Sequence, residues 1–214
     1  MTLGPVQNPV RSLTHGAASL LCVALAITLW RRSGVVPGVR PALVAFALTQ
    51  VALFATSCLY HAVAWGPVWK ARMQRADHCM IYLKIAGAVT PIVWLGLDRE
   101  LAIVFLALAW CIALLGVLQK VFVPAGSPNA SVPFQFALAV LSLPAVFGFC
   151  QQFPGAPAAL LWTSGLLYLT GGMVYVAGWP RPWPRVFSSH EIFHLFTVGG
   201  SSAYSVLALR YLCV

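Results

Sequence analysis

Hydrophobic residues in this chain fall into seven long runs separated by short polar links: Leu13 to Trp30, Pro41 to Trp65, Asp77 to Leu97, Leu101 to Val123, Pro133 to Phe149, Pro157 to Ala177 and His190 to Leu212. Each is close to the roughly 20 residues an α-helix needs to cross about 30 Å of hydrocarbon. The runs are continuously apolar, where strands of a membrane barrel would alternate, so the pattern predicts helices. The predicted fold class is an all-α membrane protein: a seven-transmembrane helix bundle forming one domain over residues 1–214. The links leave no room for a separate soluble domain. Pro91 and Pro144 fall inside runs, where proline bends a helix.

Composition agrees with the pattern. The chain is 60% hydrophobic and 8% charged, against about a quarter charged in soluble domains, and its mean hydropathy is +0.86. It is expected in a cell membrane as a multi-pass protein. The first run has no small-residue cleavage site in the usual place and ends on Arg31 and Arg32, so it reads as a retained span and not a signal peptide.

Lysine and arginine set the expected orientation. One face, carrying the N-terminus and the links after the second, fourth and sixth runs, holds Arg11, Lys70, Arg72, Arg75, Lys120, Arg181 and Arg185. The other holds Arg31, Arg32, Arg40, Arg99 and Arg210. The positive-inside rule then puts the N-terminus in the cytoplasm and the C-terminus outside. The net charge of +9 is accounted for by attraction to anionic headgroups, so no nucleic-acid partner is expected. The link Gly178–Arg185, rich in tryptophan and proline, is expected to lie stiffly at the interface, and Val123–Asn129 reads as a plain turn-rich connector. The six cysteines lack C-x-x-C spacing and read as small buried hydrophobes, with Cys58 and Cys79 nearest the polar cluster described next.

Ionisable residues are scarce, yet several converge on one level. His61 closes the second run, Asp77 opens the third, and His190 and His194 open the seventh. The end of an even-numbered span and the start of an odd-numbered one lie on the same membrane face. His190 and His194 are four residues apart and share a helix face, as do Ser57 and His61. Asp77 is expected on the first turn of its helix, where the dipole favours a carboxylate. Three imidazoles with an open position describe a catalytic zinc, so His61, His190 and His194 are the candidate Zn2+ ligands. Each residue alone has an ordinary reading as an interfacial side chain or helix cap; their joint placement argues for a site. His15 and His78 are expected outside the ligand set.

A second motif uses the same atoms. His190-Glu191-Ile192-Phe193-His194 is H-E-x-x-H, in which two histidines hold zinc and the glutamate is the general base of a metalloprotease. The alternative of an intramembrane protease stays open on this reading, although His61 already offers a third ligand and no companion protease motif is present.

Taken together, Ser57-Cys58-Leu59-Tyr60-His61, Asp77-His78 with Ile81-Tyr82, Ile85-Ala86-Gly87 and Thr90-Pro91, then His190-Glu191-Ile192-Phe193-His194-Leu195-Phe196 resemble the hemolysin III family. This is the bacterial branch of the progestin and adipoQ receptor (PAQR) family. The segment Gly171-Gly172-Met173-Val174-Tyr175 is similar to it as well. The resemblance implies a cytoplasmic N-terminus and zinc near the cytoplasmic face, held by His61, His190 and His194. It also implies an aspartate, Asp77, that approaches the metal through a water, and Ser57 nearby. Receptor members are associated with ceramidase activity, and bacterial members with haemolysis and membrane homeostasis. The long soluble N-terminal segment of the receptors has no counterpart here, which points to the bacterial type and its inner membrane.

Two features depart from the family pattern: Asn8 and Arg11 stand where a glutamate and an asparagine are common before Thr14-His15, and Tyr204 replaces a histidine of the last helix. Lys84 is unusual on physical grounds, about 10 Å deeper than Asp77 on the same helix face. It reads either as a counter-charge in a polar cavity or as a snorkelling side chain. The expected function is zinc-dependent hydrolysis of a lipid amide or ester, with membrane lipid as substrate or ligand. Asp77 would orient water or take its proton, and Ser57 would hydrogen-bond the developing oxyanion. The alternative is a non-enzymatic sensor or permeability factor with a structural zinc.

Overall fold

A computed structural model of the chain describes residues 7–34, 36–123, 132–183 and 186–213. It comprises α1 (Pro9–Arg32), α2 (Val39–Ala62), α3 (Pro67–Gly96), α4 (Arg99–Phe122), α5 (Val132–Gln152), α6 (Ala156–Ala177) and α7 (Ser189–Leu207). The last runs on into a π-helical turn, Ala208–Leu212. All seven are long and apolar enough to cross a membrane. Most of the connector read over Val123–Asn129, and Pro184 and Arg185 of the tryptophan-rich link, lie outside the described residues.

Local chemistry accounts for the helix ends. Prolines occupy the first turns of α1, α3 and α6, where a missing N–H costs nothing. Gly178 ends α6 at φ +63°, a left-handed position open to a residue without Cβ, and its N–H returns to the carbonyls of Val174 and Tyr175. A reciprocal capping box opens α7. The Ser188 N–H donates to Glu191 Oε2 at 2.8 Å, and the His190 N–H reaches Ser188 Oγ at 3.4 Å.

One helix differs from the sequence expectation. α3 begins at Pro67, ten residues before Asp77, so Asp77 is not on a first turn and the helix dipole does not support it. The apolar pattern marks where the chain enters hydrocarbon, not where helical hydrogen bonding begins. Residues 67–76 include lysine, alanine, methionine, glutamine and arginine, all good helix formers that extend the helix outward.

α3 is the central helix, packed against α2, α4 and α5; α1 packs on α2 and α7, and α6 mainly on α7, while α5 and α6 meet only sparsely. Large apolar side chains such as Leu20, Leu21, Phe122 and Phe136 point outward, an exposed surface that bilayer lipid would cover. In the half of the bundle remote from the histidines, Phe46, Val93, Phe149, Tyr204 and Leu207 form a core. Tyr204 is structural there: its hydroxyl donates to the Ala88 carbonyl at 2.6 Å, and its ring lies 4.3 Å from that of Phe46.

α3 and α5 touch backbone to backbone. A Cβ at Gly148 would collide with the Gly96 carbonyl oxygen, and one at Gly96 with the Ala145 carbonyl. Small residues permit this approach, and in a membrane packing of this kind replaces the hydrophobic effect as the force between helices. Gly148→Val should therefore destabilise the purified protein by about 1–3 kcal/mol in thermal unfolding. Gly172→Ala, where a new Cβ meets nothing within 4 Å, should leave the transition unchanged or slightly raised. Equal midpoints for the two variants would contradict the α3–α5 contact.

Candidate metal centre

The last turn of α2 and the first two turns of α7 bring the three candidate histidines together. His61 and His194 are buried and His190 is half-buried. The rings of His190 and His194 stack at 4.8 Å, as their four-residue spacing requires. His61 meets them edge-on at 5.6 and 5.1 Å. One ligand atom from each residue lies within 4.8 Å of the others.

Two of these nitrogens are orphans. His61 Nε2 and His194 Nε2 are buried and have no hydrogen-bond partner. An unsatisfied buried polar atom costs about 1–3 kcal/mol, and such atoms call for a partner outside the protein. A zinc ion fits this donor set: three imidazoles, two with vacant ring nitrogens, and no fourth histidine, cysteine or carboxylate in the cluster among the described residues.

A fourth histidine stands behind the cluster. His15 of α1 is buried, and its Nε2 lies 2.7 Å from His194 Nδ1. If His194 Nε2 holds metal, Nδ1 carries the proton and donates it to His15, which fixes the tautomer and the ring plane. His15 in turn meets Phe54 edge-on at 5.0 Å. It lies outside the three-histidine group, and its contact with His194 was not read from the sequence. The signal was present: His15 opens an odd-numbered helix, the same rule that singled out Asp77.

The start of α1 is pinned in place. The N–H groups of Gln7 and Asn8 donate to the carbonyls of Ala62 and His61 at 3.0 and 2.9 Å, satisfying acceptors that the end of α2 would otherwise leave open. Arg11 Nε donates to Glu191 Oε1 at 2.6 Å, an ion pair that joins α1 to α7. Glu191 Oε2 accepts from both the N–H and the hydroxyl of Ser188, at 2.8 and 2.6 Å. Both carboxylate oxygens are therefore engaged in holding helices. Glu191 would have to abandon these bonds to act as the base of an H-E-x-x-H protease.

Asp77 is buried on α3 and accepts a hydrogen bond from the Ser57 hydroxyl. It lies outside the three-histidine group. Ser57 is buried one turn deeper than His61 on the same helix. His78, Cys58 and Cys79 do not join the cluster.

Seven helices long and apolar enough to cross a membrane, with a three-histidine cluster near one end that could hold a metal ion, define a multi-pass membrane protein. A profile of the family described as haemolysin-III related matches residues 4–205, and the chain belongs to that family. It is 29% identical to "Hemolysin-3" of Bacillus cereus over 218 aligned positions, covering 100% of this chain and 93% of the relative. It is 30% identical to a "Hemolysin-3 homolog" of Bacillus subtilis (strain 168), covering 79% and 76% of the two chains. The "Adiponectin receptor protein" of Drosophila melanogaster is 26% identical over 73% of this chain but only 39% of the receptor, which places the chain in the wider PAQR group. The seven spans and these relatives make it a cell-membrane protein.

A metal ligand and a residue that orients it respond differently to substitution. In zinc titrations of the purified protein, His61→Ala should abolish tight binding. His15→Ala should retain one zinc with affinity lowered roughly 10- to 100-fold, the usual cost of removing a residue that orients a ligand. Unchanged affinity in His15→Ala would remove it from the site.

Proposed function

We propose that this protein is a zinc-dependent membrane hydrolase acting on a lipid amide or ester, with His61, His190 and His194 as the metal ligands. The observation that carries the reading is the pair of orphaned imidazole nitrogens in a three-histidine cluster, with a buried carboxylate, Asp77, on α3, which packs against the α2 that carries His61. Zinc held there would supply an acidified water and polarise a carbonyl. Asp77 is the free carboxylate of the site and acts as the proton acceptor. Ser57, by donating to it, keeps the accepting oxygen oriented. His15 orients His194, and the Arg11–Glu191 pair holds α1 against α7 so that His15 stays in reach. A substrate with a long acyl chain would come from the bilayer around the bundle, and the basic residues Lys70, Arg72 and Arg75 attract anionic headgroups.

Asp77→Asn tests this directly, because the amide keeps the shape of the side chain but cannot accept a proton at neutral pH. The variant should retain one zinc by mass spectrometry while losing turnover against a panel of bilayer-embedded lipid amides, ceramides included, and esters. Glu191→Gln should lose far less turnover. If Asp77→Asn is fully active, or if wild-type zinc-loaded protein turns over nothing in the panel, the hydrolase reading fails and a membrane sensor with structural zinc replaces it. The H-E-x-x-H protease requires the reverse order of effects.

A further inference from the structure

Five helices repeat a polar residue seven positions deeper than the metal layer: His15 and Cys22 on α1, Ser57 and Gln50 on α2, Asp77 and Lys84 on α3, Tyr175 and Tyr168 on α6, His194 and Ser201 on α7. Seven residues make nearly two full turns, so each deeper residue shares its partner's helix face about 10 Å further into the bundle. Their side chains meet. Lys84 Nζ lies 3.2 Å from the centroid of the Tyr168 ring. The Tyr168 hydroxyl is 2.7 Å from Ser201 Oγ, and Ser201 donates to Gln50 Oε1 at 2.7 Å. Gln50 is 0% exposed, and its Nε2 has no partner. Between the two layers lies an apolar floor built on Ala18, Leu53 and Phe54 with Met80 and Ile81.

This second layer is rich in donors and short of acceptors. Ser201 spends its proton on Gln50, so Tyr168 spends its own on Ser201. The ammonium of Lys84 and the amide protons of Gln50 remain. Nothing negative balances them: the four acidic residues of the chain are Asp77, Asp98, Glu100 and Glu191, and among the described residues the only ion pair is Arg11 with Glu191. Lys84 is 4% exposed, and a buried ammonium without a counter-ion is strongly unfavourable; contact with an aromatic face offsets only part of that cost.

We propose that Lys84, with Gln50, Tyr168 and Ser201, forms a second ligand site two turns beneath the histidine cluster, which holds the carboxylate of a long-chain fatty acid. A carboxylate supplies the missing charge and acceptors in one group. The depth selects an acid with a hydrocarbon chain, because the site lies within the membrane-spanning part of the bundle, separated from the histidine layer by apolar side chains, where an amphiphile arrives from lipid and a small hydrophilic anion does not. The choice of a fatty acid rests on the proposed hydrolysis, whose product from a lipid amide or ester is such an acid; the binding itself needs no turnover.

The test is oleate binding to the full-length, zinc-replete protein in detergent, followed by equilibrium binding and by the carboxyl signal of [1-13C]oleate. Wild type should show a saturable class of oleate that Lys84→Met weakens by at least about tenfold, the scale of one charge-assisted bond in a buried site. Lys84→Arg should restore most of it, and oleyl alcohol should not compete. Zinc content should be the same in all three proteins, which sets this class apart from any acid on the metal. Lys84→Met without oleate should unfold at or above the wild-type temperature, since it removes an unpaired buried charge. Equal oleate affinity in wild type and Lys84→Met, or competition by oleyl alcohol as effective as by oleate, overturns the site. Lys84-dependent binding in a protein that hydrolyses nothing leaves this site standing and removes the hydrolase; hydrolysis without Lys84-dependent binding does the converse.

Discussion

The structure depends on how a bundle with very few ionisable groups satisfies those it buries. Within hydrocarbon an unpaired donor or acceptor has no water to turn to, so each buried polar side chain must find a protein partner or a ligand. Most do. Asp77 takes the Ser57 hydroxyl, Tyr204 reaches the Ala88 carbonyl, and Glu191 is held by Arg11 and Ser188. Among the described residues the exceptions are His61 Nε2, His194 Nε2 and Gln50 Nε2. They fall in the two polar layers of the bundle, and both functional proposals start from them.

The two layers divide the chemistry. The upper one, near the basic face, is assembled from residues that hold and orient: three imidazoles, a histidine behind one of them, and an ion pair across α1 and α7. The lower one is a short chain from Lys84 through Tyr168 and Ser201 to Gln50. Phe54 belongs to the apolar floor between them and also packs against His15. The same helix faces serve both layers because their spacing is seven residues, so the packing that aligns one aligns the other.

The hydrophobic runs make the seven helices legible, and the same-face rule brings His61, His190 and His194 together from the sequence alone. What escaped the sequence were contacts set by helix neighbours and not by helix pattern. His15 meets His194 across 179 residues only because α1 packs on α7, closing the bundle. Glu191 looked like half of a protease motif, while its capping role was encoded by Ser188 three residues earlier. Arg11, noted as a departure from the family, pairs with that same glutamate. The true start of α3 was hidden because hydropathy reports the bilayer boundary and says nothing of the helical hydrogen bonds beyond it.

Everything proposed for the upper layer requires a metal on three imidazoles with a position left open. X-ray absorption spectroscopy of the purified protein, with zinc quantified on the same sample, tests that most directly. The account predicts one zinc per chain with three nitrogen ligands and at least one further light-atom ligand from solvent, at about 2.0–2.1 Å. Absence of stoichiometric zinc, or a shell closed by four protein ligands including sulfur, would contradict it.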